Sequence, residues 1–163
     1  MRLVENTKIT IKDAIGGTGG LQTTANAVNM AKYAKCRITL LVSCDNQVPG
    51  GGACTLKQGT TAATCTTALA FSEYWKNEDV LAADMLTKVT AAVLTTAAIQ
   101  NKTAMYVFEV RADMLDTDTF GSENQYIRLD LANITTATEA HSLIYELYES
   151  RYSRGAENMP TAW

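Results

Sequence analysis

The clearest pattern along the chain is the alternation of apolar and polar residues on both sides of a turn-rich segment within 101–131. The apolar positions are Tyr106, Phe108 and Val110 in the first run and Ile127, Leu129 and Leu131 in the second. The polar positions between them include Glu109, Arg111, Arg128 and Asp130. A period of two indicates an extended chain with one buried and one solvated face. We therefore predict two strands here, with the six apolar residues in the core and the four charged residues facing solvent.

Shorter runs of the same kind recur along the chain and are separated by turn residues. They cover 8–12, 29–43, 53–58, 68–75, 85–95 and 142–151. The inward positions on three of these runs are Cys36, Ile38, Leu40 and Val42, then Cys54 and Leu56, then Leu143, Tyr145 and Leu147. The Ala-rich stretch 80–99 also permits a helix, so its state stays open. About eight strands at irregular spacing predict an all-β fold, an antiparallel, jelly-roll-like β-sandwich with extended terminal arms.

The length of 163 residues suits one domain with its own core. We predict an N-terminal arm with a Gly-rich segment over 1–28, a sandwich domain over 29–151 and a tail over 152–163. The glycines of 16–20 do not have the spacing of a phosphate-binding loop, so we expect a turn or linker there.

The net charge of −3 and the pI of about 5.1 leave the chain without the basic footprint of a nucleic-acid binder. The first ten residues do not resemble a signal peptide, and no apolar run approaches the length of a membrane span. We therefore expect no nucleic-acid or membrane partner, and a protein that is made and used on the cytosolic side or assembled there into something larger.

Candidate catalytic and metal-binding residues are few. His141 is the only histidine, no nucleophile motif accompanies it, and we predict a surface loop histidine without a catalytic role. The acidic residues Asp113, Asp116, Asp118 and Glu123 crowd one connection. Counted as a calcium loop from Asp116, that connection has Ile127 where the bidentate Glu belongs. We therefore predict no catalytic residue, no metal, no cofactor and no enzymatic activity.

The four cysteines, Cys36, Cys44, Cys54 and Cys65, contain no C-x-x-C spacing, which argues against zinc. Cys36 and Cys44 fall on one face of a predicted strand, which favours small buried hydrophobes. Cys44 and Cys54 flank the turn at 49–52 and could lie across a hairpin, so whether any of the four pair stays open.

Several segments of the chain resemble, in their residue pattern, segments of a known protein family. They are M-A-K-Y-A-K-C-R-I-T at 30–39, the glycine turn within 48–58, A-L-A-F-S-E-Y-W-K at 68–76, the run 105–115, Y-I-R-L at 126–129 and Y-S-R at 152–154. Together they resemble tailed-bacteriophage virion proteins of the head decoration or stabilisation (cement) type. The Gly-rich 16–20 segment and the four cysteines depart from that family.

The resemblance implies a structural protein without catalytic residues, which binds the outside of an assembled capsid and stabilises it. Its partners would be the major capsid protein and further copies of itself, as a homotrimer or a dimer, and it would join the virion in the host cytoplasm. We expect the arms at 1–15 and 152–163 to make these contacts. The predicted partner-contact residues are Ile9, Ile11, Tyr152, Met159, Pro160 and Trp163.

Two alternatives remain open at this stage. One is a ligand- or carbohydrate-binding β-sandwich module of a tail or spike, which an exposed cluster of Tyr74, Trp75 and Tyr126 on one face would favour. The other is a head–tail connector or minor tail protein, which differs from a decoration protein in its position on the particle.

Overall fold

The computed structural model describes residues 7–14, 26–44, 52–96, 101–116, 124–132 and 139–150. In these residues eleven strands, all paired antiparallel, form two sheets. The strands are β1 Lys8–Ala14, β2 Val28–Asn29, β3 Tyr33–Cys44, β4 Ala53–Gly59, β5 Thr67–Leu69, β6 Glu73–Asn77, β7 Thr87–Thr90, β8 Leu94–Thr95, β9 Lys102–Arg111, β10 Tyr126–Leu131 and β11 Glu139–Ser150. A short 3-10 turn, Ala112–Met114, follows β9.

The six-stranded sheet has the order β1-β11-β3-β9-β6-β7, and the second sheet has the order β2-β10-β4-β5, with β8 also pairing with β4. Because the chain crosses repeatedly between the sheets, the fold is a jelly-roll-like β-sandwich, and the predicted fold class is confirmed. The predicted number of strands was too low. The runs 68–75 and 85–95 each divide into two strands that belong to different sheets, β5 with β6 and β7 with β8.

The core lies between the sheets, where the predicted apolar faces meet. Buried side chains alternate with solvated ones along β3, β9 and β11, as the period of two predicts. The longest registers join β3 to β9, from Lys35 opposite Arg111 to Cys44 opposite Lys102, and β3 to β11. The strands β9 and β10 do not pair with each other, because they belong to opposite sheets and contribute facing halves of the core.

The prediction that Arg128 and Asp130 face solvent is wrong. Each is only 7% exposed, on a strand flanked by β2 and β4. Because the two residues lie two positions apart on one strand, their side chains point to the same side of the sheet. Their opposite charges therefore balance each other. The Arg128 guanidinium donates from Nε to Asp130 Oδ1 at 2.5 Å and from Nη2 to Asp130 Oδ2 at 2.9 Å. The hydrogen bond to Asp130 raises the pKa of Arg128. A bidentate pair of this kind offsets the cost of taking two charges out of water.

A single tyrosine hydroxyl connects the two sheets through the core. Tyr145 on β11 is fully buried, and its hydroxyl accepts the backbone N–H of Leu129 on β10 at 2.9 Å. β10 pairs with β2 only at Tyr126 and Ile127, so the next N–H along that edge has no strand partner in the described residues. The Tyr145 hydroxyl oxygen accepts this N–H in place of a strand carbonyl. Burial raises the pKa of Tyr145, so the hydroxyl stays protonated.

The first strand corrects the predicted arm. A short strand at 8–12 is confirmed, but Lys8–Ala14 is not a free arm, since it pairs with β11 from Lys8 opposite Leu147 to Ala14 opposite Ser142. The sandwich therefore includes this stretch and does not begin at residue 29. The predicted tail at 152–163 lies outside the described residues.

His141 and the cysteines also differ from expectation. His141 lies on β11 and is 2% exposed, because this strand begins at Glu139, earlier than the alternation indicated. Cys36, Cys54 and Cys65 are buried free thiols. β3 and β4 lie in different sheets, so the hairpin that would bring Cys44 to Cys54 does not form. Burial raises the pKa of Cys54 to about 12 and that of Cys65 to about 11.

Replacement of Tyr145 by Phe tests the connection between the sheets. We expect a loss of about 1–3 kcal/mol in the free energy of unfolding, because the buried Leu129 N–H loses its acceptor. Urea unfolding would show this as a lower midpoint at unchanged slope. The control is Tyr148→Phe, which removes an exposed hydroxyl bonded to Glu109 and should cost less than about 1 kcal/mol. Equal losses in the two variants would contradict the assignment.

Candidate functional site

The outer face of the six-stranded sheet, turned away from the core, carries a continuous row of side chains. Residues opposite one another in an antiparallel register point to the same side. The registers of five adjacent strands align, in order, Ile11, Ile144, Thr39, Val107 and Trp75. Four of these five side chains are apolar, although the row faces solvent. Ile11 is exposed and the other four are half-buried, so the row is a candidate interaction surface.

A groove crosses this face over β3, β9 and β6. Its volume is about 470 Å³, and Trp75, Met105 and Val107 contribute its apolar lining. Polar pairs border it. Arg37 Nη1 lies 3.3 Å from Glu146 Oε2, and the Tyr148 hydroxyl donates to Glu109 Oε2 at 2.8 Å. An apolar centre with a polar rim is the usual composition of a protein–protein interface.

The loop at 78–86, which we name the lip, connects β6 to β7 and reaches the groove at Leu86. The buried side chain of Asn77 holds the lip through two hydrogen bonds. Its Nδ2 donates to the carbonyl oxygen of Ala83 at 2.6 Å, and its Oδ1 accepts the Asp79 N–H at 2.9 Å. The Val80 N–H donates to the carbonyl oxygen of Thr103 at 2.9 Å, which ties the lip to β9. The lip is therefore a fixed element of the surface.

The tip of the lip presents apolar side chains to solvent. Leu81 is 83% exposed, Met85 is 78% exposed, and Leu86 lies at the base, where it lines the groove. Sequence reasoning missed this feature, because the polar residues K-N-E-D at 76–79 are typical of any turn between two strands. The available signal was the N-x-D spacing of Asn77 and Asp79, since an Asn side chain readily accepts the N–H two residues on.

Two of the predicted partner-contact residues lie at the opposite edge of the same face. Ile9 and Ile11 on β1 are 62% and 61% exposed. β1 pairs with β11 along one edge, and no strand of the described part of the chain pairs with the other edge. The remaining predicted residues, Tyr152, Met159, Pro160 and Trp163, lie outside the described residues.

The aromatic cluster that would favour sugar binding does not form. Tyr74 points into the core and packs against Phe71 and Phe108, with ring centroids 6.2 and 5.9 Å apart. Trp75 lies on the outer face of the six-stranded sheet, where Lys88 Nζ is 5.8 Å from its ring centroid. Tyr126 belongs to the other sheet. The three aromatic residues thus occupy three separate environments.

The side-chain amide of Gln58 binds Asp116, in the acidic segment that follows β9. Gln58 on β4 is fully buried, and its Nε2 donates to Asp116 Oδ2 at 2.7 Å. Its Oε1 accepts the Asp116 N–H at 2.8 Å. Asp116 thus anchors a loop, while Asp118 and Glu123 lie outside the described residues. Within the described ranges, no three His, Cys, Asp or Glu side chains come together as a metal site. No helix found there has the length and apolar character to cross a membrane.

No protein-family model and no curated protein matches the chain. Among solved structures it is similar to VP2 of the infectious bursal disease virus subviral particle, with 11% identity and a TM-score of 0.40 over 87% of this chain and 33% of that chain. The vertex protein P5 of PRD1 has 9% identity and a TM-score of 0.41 over 89% and 98%. The carbohydrate binding module CBM6cm-2 of Cellvibrio mixtus lichenase 5A, in complex with cellotriose, has 12% identity and a TM-score of 0.31 over 88% of each chain.

This chain thus spans about a third of the VP2 chain that it matches. The TM-scores are low and the identities are near the level of unrelated sequences, so these likenesses assign no function. The functional argument depends on the surface of this chain.

Replacement of Asn77 by Ala tests whether this side chain fixes the lip. Two hydrogen bonds to the lip are lost, so we expect amide hydrogen exchange within 79–86 to become at least about tenfold faster. The control is Glu78→Ala, which removes an exposed ion pair with Lys76 and should leave the exchange rates unchanged. Unaltered protection in Asn77→Ala would show that the lip is held by other contacts.

Proposed function

We propose that this protein is a virion structural protein that binds the outside of an assembled phage capsid and stabilises it, and that it catalyses no reaction. The observation that carries the proposal is the β1 edge, which no strand of the described residues covers and which presents two exposed isoleucines, Ile9 and Ile11. The resemblance of six sequence segments to decoration proteins supports the same function.

The chemistry of the β1 edge suits a protein partner. A strand at a sheet edge offers backbone N–H and C=O groups that a partner strand can pair with, which extends the sheet across two proteins. The isoleucines give such a partner apolar area to cover, and Ile144 on β11 extends that area inward. Full burial of a large aliphatic side chain contributes about 1.5–3 kcal/mol. If two isoleucines are buried at each of many sites on a capsid, the summed stabilisation of the shell is therefore substantial.

Stabilisation would follow from selective binding. A protein that binds only the assembled shell shifts the equilibrium toward that shell by mass action, and the shift grows with occupancy. We propose the major capsid protein as the partner at the β1 edge, with further copies of this chain as the second partner. Both contacts are non-covalent, so neither requires a covalent change in the capsid protein.

The test compares heads with and without the protein. Electron microscopy should show added density on the head surface when purified full chain is supplied to heads that lack it. Those heads should then survive heating or low salt better than bare heads. Density at the tail alone, with head stability unchanged, would replace decoration by a connector or tail role. Glycan binding by the isolated chain without head binding would favour a carbohydrate-binding module.

The double variant Ile9→Thr/Ile11→Thr tests the β1 edge itself. Threonine keeps the strand propensity, so the fold should persist while the apolar contact is lost. We expect affinity for heads to fall about 10- to 100-fold in a co-sedimentation titration. The matched control is Val93→Thr, which alters an exposed valine away from β1 and should bind normally. Equal affinity of the double variant and the unaltered chain would remove β1 from the contact.

A further inference from the structure

The groove on the outer face of the six-stranded sheet continues into a second hollow. The groove has a volume of about 470 Å³ and the hollow one of about 310 Å³, and Trp75 and Glu109 line both. We propose that groove and hollow together form one trough, which binds a chain of neutral pyranose sugars with the Trp75 indole where its two halves meet. This activity belongs to the isolated chain and does not depend on capsid binding.

The two halves of the trough repeat one set of polar groups. Besides the shared Trp75 and Glu109, each half has an arginine, a further glutamate and a hydroxyl residue. These are Arg37, Glu146 and Thr39 in the groove, and Arg111, Glu73 and Ser72 in the hollow. Apolar side chains complete both linings, among them Met105 in the groove and Met114 in the hollow. A repeated set of contacts suits a ligand that itself repeats, as an oligosaccharide does.

The chemistry of a pyranose ring matches that of each half. The ring presents C–H groups on its faces, while hydroxyl groups project around its edge. Trp75 is half-buried on the outer face of the sheet and offers a flat apolar surface for stacking. A hydroxyl both donates and accepts, so carboxylates and guanidinium groups can both bind it. Glu109 retains this capacity, because a carboxylate accepts more hydrogen bonds than the one it receives from Tyr148.

The charges along the trough favour a neutral ligand. Arg37 Nη1 lies 3.3 Å from Glu146 Oε2, and Arg111 Nε lies 3.2 Å from Asp113 Oδ1. An anionic ligand would face the three glutamates of the trough, and a cationic ligand would face its two arginines. Either charge would meet repulsion and would compete with pairs that already exist. A neutral hydroxyl ligand adds hydrogen bonds without displacing a charged partner.

Lys88 must move aside for a sugar to stack on the indole. Its Nζ lies 5.8 Å from the Trp75 ring centroid and 2.7 Å from Glu73 Oε2. The side chains of this ion pair are 52% and 42% exposed. An exposed pair contributes less than about 1 kcal/mol, so the lysine yields at small cost.

The dimensions of the trough suit a sugar chain better than a protein surface. A cavity of about 150 Å³ holds a benzene ring, so each half has room for at least one pyranose ring. Arg37, Glu109 and Arg111 are exposed. A protein laid over them would take all three charges out of water, which is costly unless each finds a partner. A narrow sugar chain leaves these side chains partly hydrated.

The first experiment uses the two tryptophans of the chain, Trp75 and Trp163. Trp163→Phe leaves Trp75 as the one indole, whose fluorescence then reports on the trough. The probes are neutral hexasaccharides of glucose, xylose, mannose, galactose and N-acetylglucosamine. At least one should change the Trp75 emission with a dissociation constant of about 10 µM to 1 mM. The corresponding disaccharide should bind at least about tenfold more weakly, because it cannot reach both halves.

A charged probe tests the preference for a neutral ligand. Hexagalacturonate has the length of the neutral probes but carries a carboxylate on every ring. It should bind at least about tenfold more weakly than the best neutral hexasaccharide, because of the glutamates in both halves.

Variants of the full chain locate the site by isothermal titration calorimetry. Trp75→Ala should weaken binding at least about 30-fold, the effect of losing one hot spot, and Trp75→Phe should recover most of the affinity because it keeps an aromatic ring. Glu109→Gln should weaken binding about fivefold to tenfold, since a charge-assisted hydrogen bond becomes a neutral one. The control is Glu78→Gln, the same change at an exposed glutamate that does not line the trough, which should leave binding unchanged. Thermal unfolding of each variant would verify that the fold persists.

Three results would overturn the proposal. They are the absence of binding by every neutral hexasaccharide at about 5 mM, binding that Trp75→Ala leaves unchanged, and tighter binding of hexagalacturonate than of every neutral probe. Loss of head binding in Trp75→Ala, without sugar binding by the unaltered chain, would also overturn it and would assign the trough to a protein contact.

Sugar binding and capsid binding are separable. The titrations use the isolated chain, so a failure of capsid binding does not affect them. Ile9→Thr/Ile11→Thr should lose affinity for heads and keep its affinity for the sugar, while Trp75→Ala should show the reverse.

Discussion

The sandwich depends on one hydrogen bond that the hydrophobic effect cannot supply. Apolar burial brings the two sheets together but does not fix how they sit, since it has no direction. The Tyr145 hydroxyl does fix it, because it accepts one particular backbone N–H, that of Leu129, across the core. The same bond satisfies a donor at the edge of β10 that would otherwise be buried without a partner. One interaction thus selects the sheet-to-sheet arrangement and removes a cost of edge formation.

The period-two pattern predicted the interior of the long strands well, since alternation states directly which side faces the core. β3 from Cys36 onward, β9 and β11 between Ala140 and Tyr148 follow it residue by residue. The pattern says nothing about which strand pairs with which, because pairing is decided by contacts distant in sequence. The alternation in β9 and β10 therefore does not show that the two strands lie in opposite sheets. The divided runs 68–75 and 85–95 were misread in the same way.

Charged residues were the least predictable part of the fold. A charged residue on an alternate position reads as solvated. That reading holds for Glu109 and Arg111 but fails for Arg128 and Asp130, although both pairs share one face two residues apart. Arg128 and Asp130 can then enter a buried position together, since each removes the other's charge. Of the candidate site, the sequence identified Ile9 and Ile11. The lip depends on the buried Asn77, whose bond to the Ala83 carbonyl oxygen, six residues on, follows from no local sequence pattern.

The two edge strands of the six-stranded sheet, β1 and β7, differ in how accessible their unpaired backbone groups are to another chain. At β1 no strand of the described residues pairs with the outer edge, and the exposed Ile9 and Ile11 lie on it, a combination that invites pairing with another chain. At β7 the edge strand is only four residues long, and the lip before it is held by the Asn77 side chain. A short edge resists strand addition, so association on that side would use side chains. The two edges of the sheet therefore differ in the kind of contact that they offer, which is backbone pairing at β1 and side-chain contact at β7.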